Sequence, residues 1–188
     1  MKRDITATLV NEHRLIVRML DLLERNAQLT AAGTFRDYRF YLDGVAFIRD
    51  FADRFHHAKE EEVLFEALVA NGMPREHSPV AAMLMDHDRG RAFVKSLEEA
   101  ARQAADGVPG RDPLIAANAL AYVALLREHI AKEDGILYPL AERVIPEEAR
   151  DGIAAAYEAA ESRAPAGFAA HCEAVVARYE EEAIASAA

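Results

Sequence analysis

The sequence predicts an all-α protein: an antiparallel up-down-up-down four-helix bundle with additional C-terminal helices. Three observations predict it. Hydrophobic residues make up 52% of the 188 positions, and they are rich in alanine and leucine with few alternating β-branched runs, a composition that favours helices. Glycine and proline punctuation cuts the chain into long segments. Within each segment the apolar residues recur at the helical period.

The elements follow in order. A first helix is expected from about Ile5 to Thr30, stopped by Ala32 and Gly33. A second runs from about Phe35 to Ala70, stopped by Asn71-Gly72 with Pro74 beyond. Ser78-Pro79 opens a third, with serine as N-cap and proline in the first turn; it fades at Asp106-Gly107. Asp112-Pro113 opens a fourth in the same way, ending near Val144 before Pro146. Short loops make sequential helices antiparallel neighbours. Glu147 to about Ala160 and Pro165 to about Ala187 read as further helices. The expected division is a bundle over residues 1–145 and a helical extension over 146–188, which packs on the bundle or dimerises. Ala154, Ala155, Ala156, Ala159 and Ala160 suit close helix packing in either case.

Four histidines fall on four different helices: His13, His57, His87 and His129. Two of them have a glutamate four residues later, Glu61 and Glu133, and residues four apart share a helix face. Phase analysis at 100° per residue places Leu9, Ile16, Val17 and Leu20 within about 60° of His13. Val80, Met83, Leu84 and Val94 accompany His87. The stripe through Ile115, Tyr122, Leu126, Leu137 and Leu140 passes almost through Glu133, which is preferred to Asp134.

The second helix is less regular. Ile48, Phe51 and Phe55 lie roughly 100° out of phase with Leu64, Phe65 and Leu68. A bulge near His56-His57 would repair the mismatch. The later stripe favours His57 and Glu61, with His56 and Glu60 kept as alternatives or supporting groups. A loose internal repeat, HHAKEEEVLFEAL and EHIAKEDGILYPL, suggests two similar helix pairs meeting at one site.

Buried glutamates among leucines are costly unless paired or metal-bound, and only Arg91 offers itself as a weak partner. Six inward ligands are too many for one tetrahedral zinc and suit two iron ions sharing carboxylates. The net charge of −10 argues against nucleic acid. No uninterrupted apolar run approaches the ~20 residues of a membrane span, and the N-terminus lacks a signal-peptide core. The single cysteine, Cys172, leaves no internal disulfide. A cytoplasmic location is expected. Cys172 and His171 read as structural.

The segments around His13, HHAKEEEVLF, GMPREHSPVAAMLMDHDRGR and HIAKEDGILYPLAE together resemble the hemerythrin-like, or HHE cation-binding, family over about Ile5 to Val144. The resemblance implies two non-heme iron ions, oxo- or hydroxo-bridged. It makes His13, His57, His87 and His129 terminal ligands and Glu61 and Glu133 bridges. Oxygen-carrying members have another histidine one turn before the third-helix one, where this chain has Met83. They also end on an aspartate five residues after its histidine. The order here is similar to the bacterial variant, and water, His56, Glu60 or a tyrosine such as Tyr122 stands as the replacement ligand. Gly90 leaves room for a small ligand or a close helix contact.

The function this implies is binding or processing of oxygen, hydrogen peroxide or nitric oxide, with catalase-like or nitric-oxide-reducing turnover. The alternative is a non-enzymatic sensor or carrier signalling through the C-terminal helices. Expected partners are a small diatomic or peroxide ligand, with no nucleic acid or membrane, in a monomer or homodimer.

Overall fold

Residues that favour turns and caps set the helix limits in the computed structural model, which describes residues 3–186. Helix α1 spans Ala7–Ala31; the Asp4 carboxylate accepts from the amides of Thr6 and Ala7 just ahead of it, both at 2.9 Å. Helix α2 is continuous over residues 38–70 and is capped by Asp37, which accepts from the Arg39 amide. It ends at Gly72, whose φ of 97° is a left-handed value that suits glycine. Helix α3, Pro79–Ala105, is capped by Ser78 as expected. Helix α4 covers Asp112–Val144. Here the expectation needs correction: Asp112 is the first helical residue rather than a cap, and its carboxylate instead accepts from the Tyr38 hydroxyl at 2.7 Å. Helices α5, Glu147–Glu161, and α6, Phe168–Ala185, complete the chain. Helix α6 starts later than the Pro165 expectation, and Ala187 lies outside the described residues.

Short connections make successive helices of the bundle antiparallel. Helix α4 packs along both α1 and α3, α2 packs along α3, and α6 lies against α1. By length and composition α4 is apolar enough to cross a membrane, with a window of mean hydropathy 1.3. It packs between α1 and α3, and Ile115, Ala119, Val123 and Leu126 are buried in the core.

The core has two parts. One, including Leu23, Phe40, Tyr41, Phe51 and Leu97, fills the end of the bundle near the α1–α2 and α3–α4 turns. The other joins Leu9, Leu64, Phe65, Met83 and Tyr138 to Ile153 and Tyr157 of α5. Helix α5 is also tied down by Arg150, 1% exposed, which donates to the carbonyls of Arg3, Glu142 and Ile145 and to the Glu142 carboxylate. Its buried face is thus Arg150, Ile153 and Tyr157. Between the two core parts lies a polar layer.

Two helices leave α-geometry at that layer. Helix α2 is π-helical over Ile48–His57 and Glu60–Leu64, and α4 is π-helical over Glu133–Leu137. A π turn bonds residue i to i+5 and so holds an extra residue. The irregularity expected near His56-His57 is therefore present, but it is far longer than a single bulge and has a counterpart on α4.

Candidate metal centre

The extra residues of the π turns decide which side chains enter the polar layer. His56 and His57 are adjacent in sequence, yet they are only 1% and 6% exposed, and Glu60 is fully buried. Two groups of ligand atoms result, each with its members within 4.8 Å of one another: His13, His56, Glu60 and Glu133, and His57, Glu60, His87 and His129. Glu60 belongs to both. Glu133 also reaches both, with Oε2 at 3.3 Å from His13 Nε2 and Oε1 at 3.1 Å from His129 Nε2. Within the groups, His13 Nε2 is 3.0 Å from His56 Nε2, and His87 Nε2 is 3.1 Å from His129 Nε2.

The other ring nitrogen of every one of these histidines faces a carboxylate. Three contacts are short: His13 Nδ1 to Asp134 at 2.9 Å, His56 Nδ1 to Glu12 at 2.8 Å and His87 Nδ1 to Glu61 at 2.7 Å. Two are longer: His57 Nδ1 to Asp53 at 3.4 Å and His129 Nδ1 to Asp86 at 3.8 Å. Outer carboxylates of this kind fix the ring orientation and leave the inner nitrogen as the donor toward a cation.

This geometry corrects the expected site in several places. Glu61 is not an inward group. Its side chain is 28% exposed and lies between His87 Nδ1 and Arg91, while Glu60 takes the inner position. The α-helical period does not hold across the π-helical stretches, and the extra residue they take up shifts the inward face by one position. His56, held as an alternative, lies inside together with His57. Asp134, set aside as off the stripe, faces His13 from the outside. Arg91 pairs with Glu61, Asp53 and Asp88 rather than with a buried glutamate. Met83 is 3% exposed in the apolar cluster, and His56 is a further histidine among the grouped ligand atoms. Tyr122 is outside both ligand groups; the tyrosine at the centre is Tyr138, which donates to Glu60 Oε1 at 2.5 Å and stacks on His13 at 5.5 Å. His13, His57, His87, His129 and Glu133 all lie in the cluster.

The internal repeat carries the missed information. Aligned on Lys59-Glu60 and Lys132-Glu133, it pairs His56 with His129, Glu61 with Asp134 and Phe65 with Tyr138. Each pair performs one role. Glu61 holds His87 and Asp134 holds His13. Phe65 stacks on His87 as Tyr138 stacks on His13. Lys59 meets Glu12, the neighbour of His13, and Lys132 meets Asp86, the neighbour of His87. Only His57 breaks the pattern, since its counterpart is Ile130.

Electrostatics shows what the cluster lacks. Burial, reinforced by the charge of Glu133, pushes the Glu60 carboxyl well above its ordinary range. Glu133 is held well below it against the burial effect, by the neighbouring His129 and His13 rings. Burial would lower His13, but Asp134 and Glu133 raise it to about 9. Burial and His87 lower His57 to about 4; burial and His13 lower His56 well below its usual value. Glu60 Oε2 and both Glu133 oxygens are buried with no hydrogen-bond partner. Buried carboxylate oxygens need a donor or a cation, and the nitrogen-and-oxygen donor set suits a borderline transition metal.

Fold and site together define a helical bundle with a buried histidine- and carboxylate-lined cation site. Residues 4–141 match the family model described as the hemerythrin HHE cation binding domain, and the chain belongs to that family. Comparison with curated proteins and with solved structures gives no match.

Proposed function

We propose that the cluster holds two iron ions and that the protein binds or processes small oxidants: oxygen, hydrogen peroxide or nitric oxide. The observation that carries this reading is the pair of ligand groups sharing Glu60 and Glu133, with buried carboxylate oxygens that have no other partner. In this reading Glu60 and Glu133 bridge, and His13, His56, His57, His87 and His129 are terminal. Bound iron would supply the redox change and the coordination position that oxidant chemistry requires.

The chain's own residues provide the rest. The outer carboxylates hold the imidazoles of His13, His56 and His87 in one orientation, so little rearrangement of those rings accompanies binding. Tyr138 keeps its proton, because burial and Glu60 raise it well above its usual value. Its hydroxyl therefore stays a hydrogen-bond donor beside Glu60 and His13. The group around His13 has one histidine fewer than the group around His57, and Tyr138 stands on that side. This inequality supports an exchangeable position there, in place of the vacancy expected from Met83. Such a position suits turnover of peroxide or nitric oxide.

A second reading has its own support. Lys59, fully buried, bonds Glu12 and reaches Glu161 of α5 at 2.8 Å, and Glu12 holds His56. That chain of contacts connects the centre to the C-terminal helices, as a sensor needs. Anaerobic loading with ferrous iron, followed by optical spectra on adding oxygen, peroxide and nitric oxide, separates the two. Repeated peroxide or nitric oxide consumption supports the enzyme. A stable reversible adduct without turnover supports the sensor or carrier. Uptake of one zinc and no iron rejects both.

A further inference from the structure

We propose that Lys59 is a positioning residue. It holds the Glu12 carboxylate against His56, and Glu161 at the end of α5 holds Lys59 in place, so that α5 tunes metal affinity in one half of the centre only. The inference rests on the cluster being a metal centre and is independent of iron and of oxidant chemistry.

The internal repeat supplies the comparison. Lys59 and Lys132 occupy matching positions, and each stands behind a carboxylate that faces a histidine ring. Lys59, Glu12 and His56 form one set; Lys132, Asp86 and His129 form the other. The first set is closed. His56 Nδ1 lies 2.8 Å from Glu12 Oε2, and the other Glu12 oxygen accepts from the Lys59 ammonium. That contact presents His56 Nε2 inward, 3.0 Å from His13 Nε2. The second set is open. His129 Nδ1 is 3.8 Å from Asp86 Oδ2, too far for a hydrogen bond, and is buried with no partner.

The surroundings of the two lysines account for the difference. The Lys132 side chain is 37% exposed and is shared between Glu128 at 3.0 Å and Asp86 at 3.3 Å, both from the bundle itself. Lys59 is fully buried. Its ammonium lies 4.1 Å over the Phe55 ring and reaches Glu161 Oε1 at 2.8 Å. A buried ammonium is unfavourable unless paired, so two carboxylates and an aromatic face leave this one a single place to sit. Glu161 is the last residue of α5. Glu12 is also one methylene longer than Asp86, which extends its reach; Glu161 is the part of the difference that α5 contributes.

Two measurements on the full chain test this. In metal-free protein, nitrogen-15 NMR of labelled histidine reads the His56 Nδ1 proton. Lys59→Met and Glu161→Ala should speed its exchange with water, and Lys132→Met should leave it unchanged. Anaerobic titration with ferrous iron against a chelator of known affinity then reads the binding steps. Lys59→Met should weaken one step about tenfold, and Glu161→Ala should weaken the same step roughly two- to fivefold. Lys132→Met should leave both steps unchanged. The double variant should bind no more weakly than Lys59→Met alone, because Glu161 acts through Lys59. Glu161→Ala is a partly exposed change at a helix end, so it remains informative if Lys59→Met does not fold. Lower thermal stability with the His56 proton and both binding steps unchanged would mean a structural ion pair only and would overturn the proposal. So would equal effects of Lys59→Met and Lys132→Met. If the wild-type chain takes up no metal while the His56 proton responds as described, the positioning role stands and the metal reading falls.

Discussion

Asp134 Oδ1 lies 2.9 Å from His13 Nδ1 and joins α4 to α1 across the bundle. The contact points the opposite nitrogen of His13 at His56 and Glu133. Asp134 is thus a positioning residue. Asp134→Asn should lower metal affinity about tenfold, in keeping with losses of outer partners of ligating histidines, while stoichiometry at saturating metal stays the same. Competition with a chelator of known affinity measures it.

Glu60 and Glu61 should differ sharply. Glu60 is shared by both ligand groups, and Glu61 supports His87 from outside. Glu60→Ala should lower the metal bound per chain at saturation, whereas Glu61→Gln should lower affinity about tenfold and leave the stoichiometry unchanged. Metal analysis after anaerobic loading decides it; the reverse order would place Glu61 inside.

Metal loading should release protons. With His13 raised to about 9, that ring is protonated at pH 7, and burial and Glu133 push the Glu60 carboxyl upward as well. His57, lowered to about 4, has none to lose. Binding at pH 7 should therefore release protons, the His13 proton among them, and affinity should rise with pH. Titration in buffers of different ionisation enthalpy reads the number. In metal-free protein the sign for His13 is separate: its contribution to stability is full below about 6.5 and is lost as pH rises through about 9.

Metal should stabilise the fold. At a hundredfold excess over Kd the gain is about 2.7 kcal/mol, or roughly 5–10 °C in Tm for a chain of this size. Thermal melts with and without ferrous iron test this; equal Tm values would show that metal does not bind the folded cluster.

Met83 should prove a packing residue. Met83→Leu keeps volume and should change stability by less than about 1.5 kcal/mol. Met83→His places a polar ring in the cluster of Leu9, Leu64 and Phe65 and should destabilise by about 1–3 kcal/mol. Neither should shift the optical spectrum of the iron-loaded protein, because Met83 lies in the apolar cluster and outside both ligand groups.

Much of this protein is legible in its sequence. Ser78-Pro79, Gly72 and Gly107 mark helix ends because caps and left-handed turns are local properties of a few residues. His13, His87 and His129 follow from the α-helical period, which holds around them, and Glu133 follows because it lies one turn after His129 at the very start of the π stretch. What the period could not reach was the choice between Glu60 and Glu61, and the entry of both His56 and His57. A π turn is not favoured by its own residues. It forms where packing of the flanking apolar stripes and convergence of buried polar groups outweigh the lost α-helical hydrogen bonds. The outer carboxylates Glu12, Asp53 and Asp86 were hidden for a related reason, since each is recognised by a ring that another turn or another helix brings to it. The sequence by itself determined the bundle, its helix ends and the kinds of residue that meet inside. The tertiary structure decided which of two neighbouring side chains faces inward, because that depends on helix phase, and here phase is set by the packing of the whole bundle.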